Sequence, residues 1–247
     1  MGEAGGSSQG PEAIASFLRT TNPLLLVGGQ AVNLWALHYR ERVADLAPFV
    51  SRDVDVLGDR AVLEEIAWSA GEKPQYFSLK PPSNEVGVVV AKGRNNEPLL
   101  IEVLRYVHGV SNEELQDPEY IFEIGTEGIH VRIPGPVALL KAKVANVADL
   151  PQKGRQDERH VCILARILPG YWLDLVAAVG NGEIKERVLI DRLEHAYGIV
   201  RSKTGENVFS RLQVPRQDLF AGLEAFDLPK LKRFLEKRLS GLSDYMS

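Results

Sequence analysis

Two aspartates, Asp53 and Asp55, stand two residues apart in the run Ser-Arg-Asp-Val-Asp-Val-Leu57. Charged and apolar residues alternate there with the period of a half-buried strand, so both carboxylates share one face while Val54 and Val56 take the other. Carboxylate oxygens at that spacing suit joint ligation of a divalent cation, and two like charges side by side are costly without one. A third acid, Glu102, is set inside Leu-Leu-Ile-Glu-Val-Leu104, an apolar strand in which a charge is expensive unless paired or coordinating. A partner such as Arg105 would satisfy it, and so would a place facing a cleft. Upstream, Gly28 and Gly29 lie between the apolar run Pro-Leu-Leu-Leu-Val27 and a helical pattern. Backbone N–H groups at such a junction can approach an anion with the helix dipole behind them, although a tight turn alone also asks for glycine.

Positioning these residues requires a sheet, and the flanking pattern supplies one. A short helix is expected from Pro11, then a strand over 23–27 and a helix carrying Val32, Trp35 and Tyr39. The Asp53 strand is followed by a helix over 61–70 and by strands over 75–79, 86–91 and 98–105, divided by Pro81-Pro82 and by the polar turn Gly93–Asn96. Further strands fall at 121–124 and 129–133. From Pro134 the texture changes: Val137, Leu140, Val144 and Val147 form a helical stripe, and helices follow near 156–167, 171–179, 184–198 and 229–239. The fold class is therefore α+β, with a Gly- and Ser-rich flexible leader over 1–10, a mixed strand and helix core over 11–133 and a helical region over 134–247.

Composition narrows the function. At 247 residues, 45% hydrophobic and 25% charged, the chain has the make-up of a folded protein rather than a disordered one. Its net charge of -4, from 29 Lys or Arg against 33 Asp or Glu, argues against coating nucleic acid by bulk positive charge. The single cysteine, Cys162, excludes an intramolecular disulfide and a Cys-x-x-Cys zinc pair, so a reducing, cytoplasmic setting is expected. No apolar run approaches the ~20 residues of a membrane span, and the N-terminus lacks the features of a secretory signal. His108, His160 and His195 share no helical or strand spacing and read as surface or hydrogen-bonded histidines. His160 and Cys162, two apart on a helix, face different directions and make no soft metal site, and Cys162 reads as a small core residue. The helix near 229–239 sets Leu231, Phe234, Leu235 and Leu239 against Lys230, Arg233, Lys237 and Arg238, an amphipathic packing helix with a solvated basic face.

The ordered texts LLLVGGQAVNLWAL, SRDVDVLGD and LLIEVLRYV, over roughly residues 23–105, resemble the nucleotidyltransferase superfamily that includes DNA polymerase beta. The likeness is to its abortive-infection (AbiEii-type) toxin-like group in particular. The resemblance implies a mixed β-sheet nucleotidyltransferase core flanked by helices and followed by a helical C-terminal region. Gly28 and Gly29 would help hold a nucleoside triphosphate, and Asp53, Asp55 and Glu102 would be the catalytic acids that ligate Mg2+. The implied reaction moves a nucleoside monophosphate from an NTP to an acceptor hydroxyl on an RNA end or a protein, in a toxin–antitoxin or phage-defence system with a cognate antitoxin as partner. Two departures stand out: Gly-Gly replaces the Gly-Ser of many members, and the longer interval from Gly29 to Asp53 must loop out around 45–50. In LLKAKVAN, Lys141 and Lys143 flank the apolar stripe on opposite sides, so each could reach a phosphate and periodicity does not choose between them. The resemblance raises Lys143 and Asn146. Arg52 alternates to the face opposite the two aspartates and reads as structural.

Other readings use the same residues. A small-molecule, antibiotic-type acceptor is one, and a non-catalytic nucleotide-binding or partner-binding module is another. A metal-dependent nuclease is weakened because no Lys follows Glu102 by two positions, and a nucleotide-sugar transferase because it would need a larger α/β nucleotide domain before its Asp-x-Asp.

Overall fold

A computed structural model describes residues 10–78, 83–93, 97–117, 119–126 and 128–242. The leader read over 1–10 lies outside them apart from Gly10, as do Pro81-Pro82 and residues 94–96 of the two expected turns. By density of internal contacts, the chain divides into two units: Met1–His38 with Leu46–Ala142, and Tyr39–Asp45 with Lys143–Ser247. The division falls inside a helix, after Ala142, instead of ahead of it at residue 134.

In the first unit, α1 (Pro11–Ile14) continues as a 3-10 turn over Ala15–Leu18. Next, β1 (Leu25–Val27) is buried along its whole length, and Gly28 turns the chain with φ +63° into α2 (Gly28–His38). In β2 (Asp53–Leu57) Val54 and Val56 are fully buried while Asp53, Asp55 and Leu57 are half-buried, the alternation that the sequence carries. α3 (Arg60–Ala70) starts where the Asp59 carboxylate accepts the N–H groups of Ala61 and Val62, at 2.9 and 3.2 Å, and stops at Gly71 with φ +67°. The remaining elements are β3 (Gln75–Tyr76), β4 (Glu85–Lys92), β5 (Pro98–Leu104), α4 (Asn112–Gln116), β6 (Glu119–Ile124) and β7 (Ile129–Pro134). The short α4 was not expected from periodicity; a capping box between Ser111 and Glu114 holds it.

The seven strands form one mixed sheet in the order β3-β4-β5-β2-β1-β7-β6. β2 pairs antiparallel with β1 and parallel with β5, and β1 pairs parallel with β7. One face, with Leu26, Val54, Val56, Ile101 and Val103, is fully buried. Leu63 of α3 packs on it at Gly87, and Trp35 of α2 covers its far end, donating to the Pro134 carbonyl at 2.9 Å and meeting Tyr120 and Phe122 edge-on. The other face gathers Leu25, Val27 and Leu104 with Val110, Leu115, Ala138 and Ala142. Both acids of β2 project from this second face, because Val27 is in register with Asp55 and Leu25 with Leu57.

The second unit is helical. α5 (Pro136–Asp149) leads into it, followed by α6 (Asp157–Gly180), α7 (Glu186–Arg201), α8 (Lys203–Arg211) and α9 (Pro229–Arg238). Two helices were expected where α6 runs unbroken through Pro169-Gly170. An interior proline loses a backbone hydrogen bond and strains the helix by about 3 kcal/mol, but the turns around it bury Ile167, Leu168 and Trp172 completely, and that burial offsets the loss. Gly170 leaves room there for neighbouring side chains, since a Cβ would stand 2.8 Å from Arg42 Nε and 3.0 Å from the Tyr39 ring. α8 was also unexpected; Ser202 caps it by accepting the Gly205 N–H at 2.9 Å, and Val208 and Phe209 anchor it in the core. α9 buries Leu231 and Phe234 and turns Lys230, Arg233 and Lys237 outward, as its pattern predicts. α6 is the described helix long and apolar enough to match a membrane span, and it is mostly buried inside the protein, as a core helix is.

Candidate metal centre

The parallel pairing of β2 with β5 sets Asp53 opposite Leu100 and Asp55 opposite Glu102. Asp53, Asp55 and Glu102 therefore leave the same sheet face as neighbours, and each offers a carboxylate oxygen within 4.8 Å of the others. All three are half-buried. Three acids this close repel one another unless a cation or protons intervene. Burial pushes the Glu102 carboxyl above its ordinary range, and the charges of Asp53 and Glu85 push it further the same way. The all-oxygen donor set fits a hard divalent cation and is a poor match for a soft one.

Gly28 closes one side of this group. A Cβ at that position would fall 1.8 Å from Asp55 Oδ2, and the φ of +63° is one that side-chain-bearing residues rarely adopt. Glycine is required twice over, and the start of α2 is thereby brought against the Asp55 carboxylate. Gly28→Ala is expected to cost about 2 kcal/mol or more in stability, read as a lowered urea midpoint. An unchanged midpoint would mean that the approach is not tight.

Two further side chains belong to the centre that spacing alone did not single out. Ser51, only 5% exposed, donates its hydroxyl to Asp53 Oδ1 at 2.9 Å. The period of two that placed the aspartates extends back to Ser51, so the signal was present. Glu85 lies across from Leu104 on the same face as Glu102, and the Ser83 hydroxyl donates to it at 2.7 Å; only the β4–β5 register reveals it. Arg105 does not pair with Glu102: its guanidinium donates to the backbone carbonyls of Ser83 and Glu85. Arg52 is exposed ahead of β2.

Both lysines of the α5 stripe are already committed to carboxylates. Lys141 Nζ lies 2.5 Å from Glu114 Oε1 in the first unit. In the second unit Lys143, 6% exposed, donates to Asp157 Oδ1 at 2.8 Å, where Asn146 Nδ2 also donates at 3.3 Å; Arg155 Nε takes the other oxygen at 2.6 Å. Burial pulls the Asp157 carboxyl up, but Lys143 and Arg155 outweigh it together and hold it down to about 2. Cys162 is half-buried, and burial pushes its thiol up.

His108 is exposed and His195 half-buried, but His160 departs from the expected surface or hydrogen-bonded histidine. It is 3% exposed and neither ring nitrogen has a hydrogen-bond partner. Its position on α6 one turn beyond Gln156 carries it into the core, where local spacing does not reach. Burial, reinforced by the charge of Lys143, drives its pKa down to about 3 from 6.5; Asp157 opposes this and Arg159 and Arg155 support it. Between those values the unfolded chain holds a proton that the folded chain does not, so stability is complete above pH 6.5 and is lost as the pH falls below it. The expected loss is about 1.4 kcal/mol per pH unit. Urea midpoints at pH 7 and 5.5 should show it, and His160→Leu should remove most of the difference; an equal pH dependence in the variant would rule it out.

The chain matches no protein-family model, and no curated protein or solved structure is significantly similar to it.

Proposed function

We propose that this protein is a nucleotidyltransferase, dependent on a divalent cation such as Mg2+, that moves a nucleoside monophosphate from an NTP to an acceptor hydroxyl and releases pyrophosphate. The observation that carries the reading is the convergence of Asp53, Asp55 and Glu102 to within 4.8 Å on adjacent strands, beside a helix that begins at Gly28 against Asp55. The ordered resemblance over residues 23–105, carried by the same glycines and acids, supports the same reading.

Asp53, Asp55 and Glu102 would hold the cation, which supplies neutralisation of the triphosphate and stabilisation of the charge that develops as pyrophosphate departs. The first N–H groups of a helix have no acceptor within it, so the start of α2 would offer donors to phosphate oxygens, with the helix dipole in support. Glu102, beside the cation, would be placed to assist removal of the proton from the attacking hydroxyl. Leu100, in register with Asp53 and 38% exposed, leaves apolar surface beside the acids on which a base or sugar can lie.

The acceptor follows from the resemblance alone: an RNA end or a protein side-chain hydroxyl, with an antitoxin as the partner that restrains the activity. Incubation of the protein with each α-labelled triphosphate, Mg2+, total RNA and total protein tests both parts. Label retained in one class of macromolecule, and lost in the Asp53→Ala, Asp55→Ala double variant, is the expected result and names the acceptor class. Absence of label from both classes moves the weight to a small-molecule acceptor or to a binding-only protein.

A further inference from the structure

We infer that Ser51 is a positioning residue of this centre, one that holds the Asp53 carboxylate in its cation-ready orientation. The inference rests on the cation-binding reading of the three acids and extends it to a residue that never touches the cation. Ser51 lies two residues before Asp53 and is almost entirely buried, whereas Asp53 is half-buried. The Ser51 side chain is thus largely withdrawn from bulk water. Among the described residues its hydrogen-bond partner is Asp53 Oδ1, at 2.9 Å.

That bond answers a physical problem in the group. With no cation present, Asp53, Asp55 and Glu102 repel one another, and a half-buried aspartate relieves the repulsion by rotating about χ1 and χ2 toward solvent. A donor fixed on the buried side opposes the rotation, because turning away would leave a buried hydroxyl unsatisfied. The bond uses lone-pair capacity on one oxygen only and leaves the carboxylate free to ligate. Hydrogen bonds of this kind behind ligating side chains commonly set metal affinity, and their loss costs about 10- to 100-fold. Ser51 is thus a determinant of how tightly the cation is held, and through it of the cation concentration at which the site works.

The test is Mn2+ binding to the whole 247-residue chain, followed by the loss of the free-ion paramagnetic signal, for wild type, Ser51→Ala, Ser51→Thr and Asp53→Ala. Thermal midpoints in chelator run alongside. Ser51→Ala is expected to bind Mn2+ roughly 10-fold or more weakly with its chelator midpoint nearly unmoved. Ser51→Thr, which keeps the hydroxyl, is expected to recover most of the affinity, and Asp53→Ala to abolish it. In the transfer assay, raised metal should restore Ser51→Ala but not Asp53→Ala. Wild-type affinity in a folded Ser51→Ala overturns the positioning role and leaves the metal centre standing. A lowered chelator midpoint with unchanged affinity assigns Ser51 to packing and also overturns it. No Mn2+ binding by the wild type removes the reading of the acids themselves, and the role of Ser51 with it.

Discussion

Asp55→Asn is expected to lower nucleotidyl transfer by about 10³-fold while making the metal-free protein slightly more stable, two effects of opposite sign from one atom change. The catalytic loss follows from removing one of three carboxylates around the cation, an interaction worth several kcal/mol of charge stabilisation, where about 1.4 kcal/mol is a factor of ten. The gain in stability follows from the same crowding. Three acids within 4.8 Å repel one another, and replacing one by an isosteric amide relieves that repulsion. A thermal midpoint in chelator that rises by a degree or more, together with loss of the stabilisation that Mg2+ gives the parent, is the signature of a site that trades stability for function. If Asp55→Asn destabilised the metal-free protein and transferred nucleotide normally, the triad would be an ordinary surface cluster.

The largest loss of stability is expected from Lys143→Met. Lys143 and Asp157 are 6% and 2% exposed, and removing one member of a buried pair leaves the other's charge uncompensated, at a cost of about 3 kcal/mol. Arg155 and Asn146 continue to bind Asp157, which keeps the figure at the low end of that range. Because the Asp157 carboxyl is held down to about 2 from 3.8, its contribution is fully present above pH 4 and disappears as the pH falls toward 2. The penalty of Lys143→Met should therefore shrink across that window. Adding Asp157→Leu should recover much of the stability at pH 7, since an apolar pair of similar volume replaces a buried ion pair at little cost. Urea unfolding of the two single variants and the double variant measures the coupling. A penalty below about 1 kcal/mol at pH 7 would place the pair among solvent-screened surface bridges, contrary to its burial.

Which residues can share a surface was legible in the sequence, because that depends only on the local period of the chain. The alternation Ser-x-Asp-x-Asp determined that both aspartates leave β2 together while Val54 and Val56 enter the core, and the apolar run around Glu102 marked that acid as one with a reason to be there. The glycines at the end of β1 announced the turn into α2, and the extents of α3, α5 and α9 follow from their stripes. What tertiary structure alone decided is which of these pieces meet. Strand order and register are set by pairings between segments tens of residues apart, so the juxtaposition of Asp55 with Glu102, the approach of Gly28 to Asp55, and the presence of Glu85 on the same face could not be read locally. Long-range packing also overruled local signals. α6 crosses Pro169 because the burial around it outweighs the strain, and Lys143, a solvated or phosphate-facing cation by periodicity, is drawn into a buried pair by an aspartate on the next helix. Periodicity reports the direction in which a side chain leaves its own backbone; what it finds there is determined by chain segments that the local pattern does not contain.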